Sequence, residues 1–207
     1  MRPIGLDDIL GRDRYEKARE AIRRRLIEHK RARRLAVGDR LSLVFEDRAT
    51  VWYQAQEMLW VEQVTDLDAI REELQVYNEL LPGPEELAAT LLIELRDQER
   101  MREEFQRLLG LDRHVSLDVG GRRVPAAFES GRQTDEKIAA VQYLRFAIDP
   151  EARRALIDGA AVALEVDHRN YRARAAFSAA MRDSIVGALL DEALADAALR
   201  RVRDDRA

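Results

Sequence analysis

The stretch His114-Val115-Ser116-Leu117-Asp118-Val119-Gly120-Gly121-Arg122-Arg123-Val124-Pro125-Ala126-Ala127-Phe128 decides the fold class. Two apolar-rich runs flank a Gly-Gly pair. A two-residue loop between strands requires positive φ at both central residues, which glycine adopts without a Cβ clash. An antiparallel hairpin is therefore expected, and a sheet that contains it cannot be purely parallel. Helical and strand patterns alternate around it along 207 residues. The expectation is an α+β fold: a mixed, mostly antiparallel sheet packed with several helices, one domain over residues 1–207, with the C-terminal helix and tail (178–207) peripheral.

On the N-terminal side, residues 12–35 read as a helix with Tyr15, Ala18, Ile22, Leu26 and His29 on one stripe, broken by Gly38-Asp39. Leu41–Phe45 alternates like a strand. Asp47 is placed to cap a helix ending near Val64, and Asp66 a second one that stops before Pro82-Gly83-Pro84. Ala89–Leu95 reads as a strand, and Asp97 caps a charged helix closed by Gly110. On the C-terminal side, Ala139–Ile148 is a strand, Asp149-Pro150 pairs an N-cap with proline at the first helical position, and Ala160–Val166 is a further strand. A long helix from Ser178 to Val202 closes the chain, striped by Met181, Ile185, Ala188, Ala195 and Leu199.

Composition removes several classes of function. The chain has no cysteine, so disulfides, zinc fingers and thiolate-held iron–sulfur clusters are excluded. Met1–Asp8 lacks the apolar core of a signal peptide, and no apolar run approaches the roughly 20 residues needed to span a bilayer, so a reducing cytoplasm is expected. No Gly-x-Gly-x-x-Gly, Walker lysine or Gly-x-Ser-x-Gly occurs. Charge is uneven: Arg12–Arg34 holds 11 basic and four acidic residues, within a chain of net charge −4. That basic segment offers charge with Tyr15 as its one aromatic, and the overall negative charge argues against nucleic acid as a partner.

Candidate chemistry gathers on polar faces. In the helix after Asp47, Tyr53, Gln56, Glu57 and Trp60 sit at i, i+3, i+4 and i+7, opposite an ordinary core stripe. Strand alternation puts Glu94, Tyr143, Arg145, Glu165 and Glu46 on one sheet face, where Arg145 is the natural two-pronged partner for carboxylates. Covering that face with the Tyr53/Glu57/Trp60 helix would enclose an ionic chamber around Arg145. His29 reads as a hydrogen-bonded core residue, whereas His168 follows Val166-Asp167 at a strand end, where functional loops gather. No cofactor is expected. A metal held by the three separated histidines with Glu57 or Asp167 stays open as an alternative.

Five runs carry a family resemblance: Phe45-Glu46-Asp47-Arg48-Ala49-Thr50-Val51-Trp52-Tyr53-Gln54-Ala55-Gln56-Glu57-Met58, Tyr77-Asn78-Glu79-Leu80-Leu81-Pro82, Ala89-Thr90-Leu91-Leu92-Ile93-Glu94, Val141-Gln142-Tyr143-Leu144-Arg145-Phe146 and Val166-Asp167-His168. Together they resemble the bacterial domain-of-unknown-function family 3501 from about Ile4 to Leu190. The resemblance implies genes beside those for rubrerythrin and a heterodisulfide-reductase-like iron–sulfur protein, hence an accessory or interaction role in a redox or peroxide-stress system. Docking faces for such partners are the Arg12–Arg34 helix or the Met181/Ile185/Leu199 stripe. The alternative is an enzyme or small-ligand binder using a buried Glu/Arg/His site. Candidate pocket residues are Glu46, Arg48, Tyr53, Gln56, Glu57, Glu94, Tyr143, Arg145, Asp167 and His168, and no reaction is legible from them.

Overall fold

A computed structural model describes residues 1–94, 101–131 and 137–204. After a 3-10 turn (Leu6–Asp8), these residues form α1 (Arg12–Arg31), β1 (Arg34–Val37), β2 (Leu41–Phe45), α2 (Arg48–Val61), α3 (Leu67–Asn78) and β3 (Glu86–Ile93). Next come α4 (Met101–Arg107), a second 3-10 turn (Leu111–Arg113), β4 (Val115–Val119), β5 (Arg122–Phe128) and β6 (Val141–Ala147). The chain continues through α5 (Pro150–Ile157), β7 (Val162–His168), β8 (Tyr171–Ala176), α6 (Ala179–Leu190) and α7 (Glu192–Arg203). Among the described residues no helix is long and apolar enough to cross a membrane.

The Gly-Gly hairpin forms as the sequence predicts, with φ of 60° at Gly120 and 90° at Gly121. It joins two neighbours of an eight-stranded sheet ordered β1-β2-β3-β6-β5-β4-β7-β8. Each pairing is antiparallel. The sheet curls into a near-barrel whose two edge strands, β1 and β8, come together. Tyr171 closes the seam: its hydroxyl donates to the Val37 carbonyl at 2.5 Å and accepts from the Arg40 amide at 3.2 Å. Gly38, at φ 68°, makes room for that ring, because a Cβ there would lie 2.3 Å from the Tyr171 oxygen. Bringing the edges together protects backbone groups that would otherwise invite strand addition.

Two apolar cores result. The barrel interior holds Leu43, Phe45, Leu91, Leu117, Phe146 and Leu164, sealed by Met181 and Ile185 of α6. A second core lies among helices α1, α2, α3 and α7, around Tyr15, Ile22, Trp52, Leu74, Leu199 and Val202. The C-terminal segment expected to be peripheral is thus built into both cores. Its helix is two helices, because Asp191 is extended at φ −137° and caps α7 through the Ala193 amide at 2.9 Å. The first helix ends at Arg31, and Arg34–Val37 becomes β1 with alternating burial. The expected cap at Asp97 and strand end at Leu95 lie outside the described residues.

Removing the seam contacts has a predictable cost. Tyr171→Phe loses the buried hydroxyl that bonds both the Val37 carbonyl and the Arg40 amide, a destabilisation of about 1–3 kcal/mol. Gly38→Ala should cost at least as much, since it adds a clash to a positive-φ strain. Urea unfolding of both variants checks this, and wild-type midpoints would refute the closure role of Tyr171.

Candidate functional site

Glu46, Asp47 and Arg48 form the joint between β2 and α2, and all three are buried. Asp47 is the N-cap: its Oδ1 accepts from the Ala49 and Thr50 amides at 3.0 Å each, while Thr50 Oγ1 accepts from the Asp47 amide at 2.9 Å. The other carboxylate oxygen meets His29 Nε2 at 2.7 Å and Arg33 Nη1 at 3.4 Å. Burial works to raise the Asp47 pKa, but Arg33, His29 and the Thr50 amide outweigh it and hold the carboxyl far below its usual range. The Arg33 guanidinium also donates to the carbonyls of Phe45 at 2.8 Å and Glu46 at 3.1 Å and to Ser184 Oγ at 3.1 Å. Arg48 reaches Asp196 of α7 at 2.7 Å and pairs with Asp8.

Glu46 is different. Its carboxylate accepts from the hydroxyls of Thr90 (2.6 Å) and Thr50 and from the Gln54 amide at 3.2 Å. Among the described residues no cation lies within ion-pair distance of it. Register explains where it sits. Val44 opposes Thr90, which opposes Tyr143; Ala88 opposes Arg145, which opposes Ala127. These residues therefore share the outer sheet face, and the Glu46 amide extends that ladder by donating to Ala88 at 2.8 Å. A cavity of about 170 Å³ opens there, walled by Glu46, Ala127, Phe128, Tyr143 and Arg145. A second cavity of about 230 Å³ also reaches Glu46 from the side of α6 and Pro82-Gly83-Pro84.

Out of the residues that the sequence singled out, the structure brings together Glu46, Tyr143 and Arg145 at one place and Tyr53 and Glu57 at another, and it disperses the rest. Glu57 lies against α1, where Arg19 grips it with two bonds of 2.8 Å and Tyr15 donates to it. Burial opposes ionisation of Glu57, but the Arg19 and Tyr15 bonds prevail and lower its pKa. Tyr53 is half-buried beside that pair, its own pKa raised by burial and by the Glu57 charge. Arg19 in turn stacks 4.2 Å over the Trp60 ring. Gln56 clamps Leu10 through both backbone groups, at 2.8 and 3.2 Å. Glu94 pairs with Arg34 and accepts from Ser42 at 2.6 Å, Asp167 is exposed beside Arg172 at 2.9 Å, and buried His168 donates to the Leu109 carbonyl at 3.0 Å.

The chamber expected around Arg145 is therefore not built. Arg145 pairs with Glu86 and donates to the Leu81 carbonyl at 3.3 Å and to that of Glu79, with its side chain 38% exposed. Glu165, on the same outer face, lies three strands away and pairs with Arg174. The α2 helix packs among α1, α3 and α7, so it is no lid over the sheet. The Met181/Ile185/Leu199 stripe is buried and offers no docking face. His29 is hydrogen-bonded as expected, to Asp47, but is half-buried at the edge of the helical layer and not in a core. Sequence reading missed Thr50, Gln54 and Glu86 as partners, although Thr50 and Gln54 fall one helical turn apart directly after Glu46. Among the described residues no group of three or more His, Asp or Glu is placed to hold a metal ion.

Comparison with known proteins agrees with the fold. A family model described as a protein of unknown function (DUF3501) matches residues 3–189. A crystal structure of a novel protein of unknown function from Burkholderia pseudomallei K96243 superposes with a TM-score of 0.84 at 33% identity, covering 90% of this chain and 98% of that one. No curated protein matches.

Acid should destabilise the fold in two windows. Burial, with smaller contributions from nearby charges, lowers the His168 pKa. Below about 6.5 the unfolded chain therefore takes up a proton that the folded chain refuses, and stability falls. Asp47, whose folded pKa is depressed, stabilises fully above the unfolded value of about 3.9 and loses that contribution as pH falls through the depressed one. His168→Gln, which keeps an N–H donor for Leu109, should remove the upper window alone. Asp47→Ala should cost about 3–5 kcal/mol at pH 7, because it strands Arg33 without its counter-charge. Unfolding curves from pH 8 to 3 read the upper window and the onset of the lower one, and an unchanged upper window in His168→Gln would remove that assignment.

Proposed function

The chain belongs to the DUF3501 family, and from that premise we propose that it is a small-ligand-binding accessory protein whose site is the cavity beside Glu46. The observation that carries this reading is a buried carboxylate with hydroxyl and amide partners, no counter-cation among the described residues, and a cavity against it. Buried charges in proteins are ordinarily paired or bound to a ligand. The wall sets a few polar residues beside the apolar Leu80, Ala88, Ala127, Phe128 and Leu144, and apolar surface with a small number of polar groups is the usual make-up of a small-molecule site.

In this proposal the protein serves a bacterial redox or peroxide-stress system in the cytoplasm, alongside rubrerythrin and a heterodisulfide-reductase-like iron–sulfur protein. The absence of cysteine supports that division of labour, since any thiolate-held cluster would sit on the partner. The outward face of α1 supports a docking role. Arg23, Arg24 and Ile27 are exposed there, whereas Arg19, Arg25 and Arg33 are engaged within the fold.

Both parts are testable. A library of polar metabolites should contain compounds that raise the Tm of the wild-type protein, and Ala127→Leu, which fills the cavity, should abolish the shift while the variant stays folded. A library without a hit, or hits indifferent to Ala127→Leu, would count against the site. For the partners, pull-down with rubrerythrin and the iron–sulfur protein at low and moderate salt should recover a complex. Absence of one under both conditions would remove the partner assignment and leave the cavity untouched.

A further inference from the structure

We infer that the Glu46 cavity selects a small primary ammonium ion; this rests on the ligand-binding reading above and names the ligand class. The charge pattern around the three junction residues points there. Asp47 is answered by Arg33 and His29, and Arg48 by Asp196 and Asp8. Of the three, only Glu46 has neutral donors alone on its carboxylate among the described residues, and it lines a cavity. Thr90, Thr50 and Gln54 supply three hydrogen bonds, whereas a carboxylate offers about four acceptor positions. A donor that also carries positive charge completes both the hydrogen bonding and the charge balance.

The rest of the lining agrees. Arg145, the cation on the wall, is committed to Glu86 and to two backbone carbonyls, so it does not recruit an anionic ligand. Phe128 and Tyr143 in the lining add rings that tolerate a cation nearby. A cavity of about 170 Å³ is on the scale of a small organic group. The ligand is therefore a short alkylamine or an amine-bearing fragment of that size. The cavity of about 240 Å³ lined by His29, Arg33, Asp47 and Arg201 lacks this selectivity, because its buried carboxylate is already neutralised.

The test is calorimetric titration and thermal shift at pH 7 and constant ionic strength with four matched probes: n-butylamine, butyramide, butyrate and tetramethylammonium. Butylamine should bind and raise the Tm, and the other three should not. Glu46→Gln should weaken butylamine at least tenfold. Ala127→Leu, which leaves the carboxylate in place but fills the space, should do the same and covers the case in which Glu46→Gln does not fold. Asp167→Asn, exposed and remote, should bind as wild type. Equal binding of butyramide or butyrate would overturn the ammonium assignment while leaving a ligand site in place. Potassium or magnesium displacing butylamine at equal concentration would overturn it in favour of a metal cation. Butylamine binding that survives both Glu46→Gln and Ala127→Leu, or no butylamine binding at all, would overturn it outright, whatever the metabolite library shows.

Discussion

Three adjacent side chains at one strand-to-helix joint, each ionisable and each out of water, set the terms for the rest of this molecule. Burying a charge costs several kcal/mol even after relaxation, unless partners answer it. Asp47 and Arg48 are answered from far along the chain: by Arg33 at the end of the α1–β1 turn, by Asp8 near the N-terminus, and by Asp196 in α7. The joint therefore ties the barrel to the helical layer with directional bonds that neither apolar core supplies. Arg33 belongs to both sides, since it donates to the β2 carbonyl of Phe45 and pairs with Asp47, the cap of α2. Such pairs add little net stability over an apolar replacement. What they add here is a fixed relation between two packed bodies.

Local signals survived into the structure wherever the physics is local. The caps at Asp47, Asp66 and Asp149 and the Gly120-Gly121 turn each follow from a few neighbouring residues. Alternation also placed Glu46, Tyr143, Arg145 and Glu165 on one sheet face, as their registers confirm. Closure of the sheet was not legible. Curling eight strands toward a barrel spreads a shared face around a circumference, so Glu165 meets Arg174 and never approaches Arg145. Strand β8 was missed because Tyr171-Arg-Ala-Arg-Ala-Ala alternates arginine with alanine, and alanine is too small to announce a buried face. Strand β1 was absorbed into the preceding helix because arginines continue that helix's polar pattern.

The same geometry decides which glutamate of the family-like run matters. Glu57 and Glu46 lie about three helical turns apart in sequence, and both looked suited to a pocket. Glu57 sits in a closed circuit of Arg19, Tyr15 and Tyr53, with Arg19 stacked on Trp60. Every strong partner it could use is already in place, so it locks α1 to α2. Glu46 also has good hydrogen bonds but, among the described residues, no matching charge, and it lines a cavity. A hydroxyl or amide can satisfy lone pairs, yet it leaves the field of a buried anion unbalanced. The cavity that Glu46 lines lies on the outer barrel face. Hydrogen-bond counting alone would rate the two sites alike, whereas charge accounting separates a structural clamp from a place where something else can bind.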